Sequence, residues 1–120
     1  MIDMTDQVVS IVRDITGRAY RAWPQKAPQA PYAVVSLIGR SVELHDHTGA
    51  EVRIRQTFSV SIIASKPSEA SSIAGDIIDA LAPYNLHNTG YSDTYETPND
   101  LYRVDITVDG ALDRRGHTFS

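Results

Sequence analysis

The side chains best suited to binding a metal gather in one short stretch, His45-Asp46-His47. Two imidazoles two residues apart can share one cation, and a carboxylate can complete the site. A further imidazole would have to come from His87 or His117, both distant along the chain, and a polar loop explains the same residues without a metal. Carboxylates for acid–base work are available at Asp93, Glu96, Asp100, Asp105, Asp109 and Asp113. Those in the last patterned segment alternate with apolar residues, which sets them on a solvated face. A catalytic acid needs burial or a close like charge to move its proton affinity. No Gly-x-Ser-x-Gly elbow presents a serine, and there is no cysteine to act as nucleophile, thiolate ligand or disulfide partner. The seven glycines are scattered, so no phosphate-cradling loop forms from them. The expectation is a protein that is not an enzyme and carries no metal or cofactor.

The whole chain bounds what such residues can belong to. Its 120 residues suffice for one domain, which at this size buries roughly two-thirds of its unfolded surface and holds without staples. The net charge of −4 and pI near 5.4 disfavour tight binding to nucleic acid phosphates, and no sequence-specific nucleic acid partner is expected. The first residues, Met1-Ile2-Asp3-Met4-Thr5-Asp6, lack the basic start of a secretory signal. Apolar runs such as Ile62-Ile63-Ala64 fall far short of the ~20 residues of a membrane helix, so no membrane partner is expected and synthesis is placed in the cytoplasm. Charge is segregated: residues 1–66 hold eight Lys/Arg against six Asp/Glu, net +2, and residues 67–113 hold one against nine, net −8. Arg114 and Arg115 restore +2 at the end. Opposed regions of this kind steer partners or complement another copy of the chain, although a solvated acidic surface reads the same way.

Periodicity then supplies the elements. Met4, Val8, Ile11, Val12 and Ile15 form one stripe on a 3.6-residue period and predict a first helix, with Asp3 or Thr5 as its cap and Gly17 as its left-handed terminus. Pro24, Pro28 and Pro31 predict an extended connector from Arg18 to Pro31. Tyr20 and Trp23 are its apolar anchors, tucked under the sheet edge or held out as a docking arm. Tyr32 to Leu44 reads as a strand with both faces partly apolar and a possible bulge at Gly39. Val52, Ile54, Phe58, Val60, Ile62 and Ala64 alternate with Arg53, Arg55, Thr57, Ser59 and Ser61, broken only by Gln56 on the apolar face. A long antiparallel hairpin, 32–44 with 51–64, is the natural pairing across the short loop.

A second helix follows from Ser65 to Leu81, buried through Ala70, Ile73, Ala74, Ile77 and Leu81 and stopped by Pro83. Tyr84 to Asp100 is turn-rich with a short edge strand near Tyr91 to Glu96. The last strand, about Leu101 to Leu112, turns Tyr102, Val104, Ile106, Val108 and Leu112 inward and Arg103, Asp105, Thr107 and Asp109 outward. The expected fold is α+β, a two-layer sandwich in the order α-β-β-α-β-β, with a mainly antiparallel sheet of about four strands and two helices on one face. Residues 1–112 make the single domain, and 113–120 are expected to be a flexible tail. If the two charged strands are neighbours, Arg53 and Arg55 can pair with Asp105 and Asp109 within the chain; if not, the same rows can pair between subunits.

Several phrases resemble one family. The amphipathic first helix with Gly17-Arg18-Ala19-Tyr20 and the approach Ala27-Pro28-Gln29-Ala30-Pro31 into Tyr32-Ala33-Val34-Val35-Ser36 are two of them. The strand Arg53 to Ala64 running straight into a helix, and the closing Tyr102-Arg103-Val104-Asp105-Ile106, are the others. Together they are similar to the tail-completion, or tail-terminator, proteins of long-tailed bacteriophages and prophages. The resemblance implies a structural virion protein with no catalytic residues. It implies a ring, usually sixfold, at the head-proximal end of the tail tube, which stops tube polymerisation and meets the head connector. Its implied partners are other copies of itself, the tube protein and the connector or another neck protein. A ring needs a heterologous interface, and the candidate contacts are Arg53 and Arg55 against Asp105 or Asp109 of the next copy, Tyr20 and Trp23 of the proline arm, and the tail from Arg114 and Arg115 to Phe119. A head–tail adaptor of the phage neck and a non-viral ligand-binding or regulatory module are the competing readings.

Overall fold

Alternating strands and one-sided helices must bury their apolar faces against each other, and the computed structural model of the chain does this with five strands and two helices. It describes residues 4–25, 29–45, 51–96 and 101–113. In chain order these are α1 (Thr5–Thr16), β1 (Ala19–Tyr20), β2 (Tyr32–His45), β3 (Glu51–Ala64), α2 (Pro67–Leu81), a short 3-10 turn (Ala82–Tyr84), β4 (His87–Glu96) and β5 (Leu101–Asp113). The strands lie in the order β1-β2-β3-β5-β4. All neighbours are antiparallel except β1 and β2, which run parallel. The α+β class holds. The expected order lacks β1, a two-residue strand inside the proline-rich connector that is too short to leave a periodic signal. The edge strand begins at His87, four residues earlier than expected, because its polar residues need no apolar partner along the solvent side.

The two helices share one face of the sheet. Val8 and Val12 of α1 and Ala70, Ala74, Ile77 and Leu81 of α2 are buried against Ala33, Val35, Phe58, Val60, Ile62, Val104, Ile106 and Val108. The α1 stripe is turned from the expected one. Thr5, Val9 and Thr16 are buried, while Ile11 and Ile15 only flank the core. Gly17 closes α1 in the left-handed conformation at φ 88°, its N–H bonded to the Arg13 carbonyl. At the other end the cap position is Met4, which makes no side-chain cap bond. Instead Gln56 Oε1, from β3, accepts the Met4 backbone N–H at 3.2 Å. Gln56 is fully buried. The one polar break in the β3 pattern thus satisfies a helix-end donor that would otherwise be stranded in the core.

The opposite face of the sheet is polar with one exception. Tyr32, Val34 and Ile63 form a second, smaller cluster there, flanked by Tyr20 and Leu101. Tyr20 meets Tyr32 edge-on, ring centres 6.3 Å apart. Ile63 is fully buried within this cluster, although it stands in an otherwise polar row of β3.

The molecule measures 55 × 27 × 22 Å, with a radius of gyration of 15.4 Å, against about 13–14 Å for a compact chain of this length. The hairpin explains the difference. Fourteen-residue strands span about 46 Å, whereas the fifteen residues of α2 span only about 22 Å. The helices therefore cover the half of the sheet that holds Ala33 to Leu37 and Phe58 to Ala64. The rest of β2, β3 and the end of β5 project beyond them, from a bulge between Leu37 and Gly39 onward.

Candidate functional site

The outer sheet face carries most of the polar residues singled out above, and register decides how they meet. Strand β3 lies beside β5, with Thr57 opposite Asp109 and Ser61 opposite Asp105. Arg55, one step diagonal to Asp109, donates through Nη1 to its Oδ1 at 3.0 Å. Of the expected pairs within the chain, Arg55 with Asp109 is present across neighbouring strands, whereas Asp105 pairs with Arg103 of its own strand. Asp105 accepts from Ser61 Oγ at 2.5 Å and from Arg103 Nε at 2.9 Å. Both pairs are partly buried, which raises their worth above that of fully exposed surface pairs. Arg53 stands on β3 opposite Asp113, and its side chain falls outside what the structure describes. Arg114 and Arg115 lie outside the described residues.

The proline arm divides its two aromatics. Tyr20 packs into the small outer cluster. Trp23 is 48% exposed, with the Arg103 guanidinium 4.7 Å from its ring centre. A cation held over an indole is a favourable contact that still leaves the ring's far side open. The structure thus joins Trp23 to Arg103, Asp105 and Ser61 in one chain of contacts. The link was not legible beforehand, although Ile63 interrupting a polar row was a usable sign that something covers that corner.

A concave feature of about 290 Å³ lies where α2 begins. Pro67, Ala70, Tyr102 and Val104 give it apolar walls, with Asp93 at the side. Tyr102, expected in the core, is half-buried here because β5 runs past the start of α2 at that point. The volume sits at the lower end of small-molecule sites, and no pair of groups converges in it for acid–base chemistry. Among the described residues no group of three His, Asp or Glu is placed to hold a metal. His45 ends β2, while Asp46 and His47 lie outside the described residues. Among the described residues, no helix is long and apolar enough to cross a membrane.

The two sheet edges remain. Strand β4 forms one edge along ten residues, with Tyr91, Ser92, Asp93 and Thr94 exposed. On the other side β1 pairs only with Ala33 and Val34 of β2. Beyond Val34, no strand pairs with the outer side of β2 among the described residues. Among the described residues, Ile38 on β2 and Tyr91 on β4 are large exposed apolar side chains at these edges. Backbone donors and acceptors presented in such rows are pairing sites for another strand.

No protein-family model matches the chain, and no curated protein sequence does. Among solved structures, a chain from the virion of a native gene transfer agent particle has the same fold. It is 21% identical, with a TM-score of 0.62, over 91% of this chain and 91% of its own. A second solved chain, 18% identical, overlaps at a TM-score of 0.49, too low to argue a shared fold.

Proposed function

We propose that this chain is a structural component of a phage-type virion and that it terminates the tail tube. In this reading copies of the chain form a ring at the head-proximal end of the tube, stop its growth and present a face to the head connector or another neck protein. The observation that carries the reading is the fold held in common, nearly end to end, with a chain of a virion particle. The resemblance of the helix–arm–hairpin order to tail-completion proteins is what favours the end of the tail tube within that reading. A non-catalytic role agrees with a surface built from paired charges, an exposed aromatic arm and open strand edges, none of which requires a substrate.

Deleting the gene in a producing strain and imaging the particles tests this directly. A terminator's loss yields overlong tubes of uneven length without heads. Tubes of normal length beside unjoined heads would make the chain a head–tail adaptor instead. Intact particles would remove it from the virion altogether.

A further inference from the structure

We infer that copies of this chain join edge to edge, strand β4 of one pairing antiparallel with the open part of β2 of the next, so that the sheet continues from copy to copy. This deepens the proposed ring by naming its contact surface and polarity, and it rests on that reading.

Three observations converge on it. The first is strand direction. Along the order β2-β3-β5-β4 every neighbouring pair is antiparallel, so β2 and β4 point opposite ways. A second copy placed beside the first in the same orientation, helices on the same side, brings its β2 against the first copy's β4 as an antiparallel pair. That is the commoner sheet geometry, and it needs no inversion of the subunit. The contact is heterologous, the kind that closes a ring.

The second is charge. The segregation along the chain becomes a gradient across the sheet. Strands β4 and β5 carry five acids, Asp93, Glu96, Asp105, Asp109 and Asp113, against Arg103, whereas β2 and β3 carry Arg40, Arg53 and Arg55 against Glu43 and Glu51. Arg40 on the open part of β2 and Asp93 on β4 lie on the helix-bearing face, opposite Gln56 and Val104 respectively. Pairing β4 with β2 sets unlike charges together. Pairing β4 with β4 brings together two edges that carry acids, Asp93 and Glu96, and no basic Lys or Arg. Like charges at an interface are a standard means of rejecting the wrong partner.

The third is the state of the edges. Strand β4 contains no proline and no lysine, two of the usual devices that keep an edge from pairing. The open part of β2, Val35 to Ser41, also lacks both, and its bulge between Leu37 and Gly39 divides it into two short pairing stretches. Ile38 and Tyr91 give each edge an apolar contact to bury.

The absence of cysteine makes the test clean. Ser41 and Ser92 are both exposed and both on the outer face, on β2 and β4 respectively. Full-length Ser41→Cys and Ser92→Cys chains, singly and mixed, are treated with a short bis-maleimide at high protein concentration, and native masses are measured alongside. Edge pairing predicts a mixed cross-link exceeding either like-with-like product by roughly tenfold. A Thr94→Cys chain with Ser41→Cys repeats the measurement in a second register. Dominant Ser92–Ser92 or Ser41–Ser41 products would overturn the inference in favour of a two-fold dimer. A closed particle without mixed cross-links in either register would overturn it and leave the ring standing on other contacts. Mixed cross-links in an open ladder of masses would uphold the pairing and remove the closed ring. A monomer with no cross-link would overturn the pairing.

Discussion

Two glycines show how far local geometry decides what a residue costs. Gly75 lies on the exposed side of α2, and a Cβ there meets nothing within 4 Å. Its replacement by alanine removes only unfolded-state freedom, so Gly75→Ala is expected to raise stability by roughly 0.5–1 kcal/mol. Gly110 on β5 is buried, and the chain passing from Asn85 to Leu86 presses against it. An added Cβ would fall within the backbone carbonyl of Asn85 and 3.1 Å from Leu86 Cδ2. Gly110→Ala is expected to destabilise by about 1–3 kcal/mol or more, because backbone cannot yield as a flexible side chain does. Thermal melts of the two variants should move in opposite directions. Nothing in the sequence distinguishes the two positions: each is a single glycine inside an otherwise regular element.

At the scale of elements, the contact between α1 and the sheet turns on Gln56. Gln56→Leu keeps the size and satisfies the apolar row, yet it strips the Met4 N–H of its acceptor in a buried place. The expected loss is about 1–3 kcal/mol, read as a lower denaturant midpoint with unchanged slope and faster amide exchange in the first turn of α1. Elements with strict periodicity were legible in advance: the hairpin, the α2 stripe through Ala70, Ala74, Ile77 and Leu81, and the Gly17 terminus all stand where their pattern sets them. The rotation of α1 was not, since Val9 and Thr16 are as apolar or small as the residues they replace and only packing selects among them. Strand β1 was not legible either, because two residues carry no period. The pairing of Arg55 with Asp109 was legible as one of two arrangements, and strand order chose between them. The stack of Trp23 on Arg103 joins residues 80 positions apart, a distance no local pattern spans.

For the whole molecule, the shape divides stability along its length. The half of the hairpin under the helices is closed on its helix-bearing face around Val60, Ile62 and Ile106, while beyond Gln56, which meets the start of α1, no helix lies above it among the described residues. Amide exchange should therefore be slowest at Val60 to Ile63 and accelerate past Gly39 on β2 and past Thr57 on β3 toward the turn, measured on the free chain. Uniform protection along β3 would contradict this division. A projecting end that is loose alone has order still to gain on assembly, which couples its stability to the presence of neighbours. Trp23, finally, is the chain's single tryptophan, and it is half-exposed beside Arg103 on the outer face of the sheet. The protein thus carries one indole, within its arm, whose emission can be excited apart from that of its six tyrosines. The colour and quenching of its emission will register any body that displaces water or Arg103 from that ring, with no label attached.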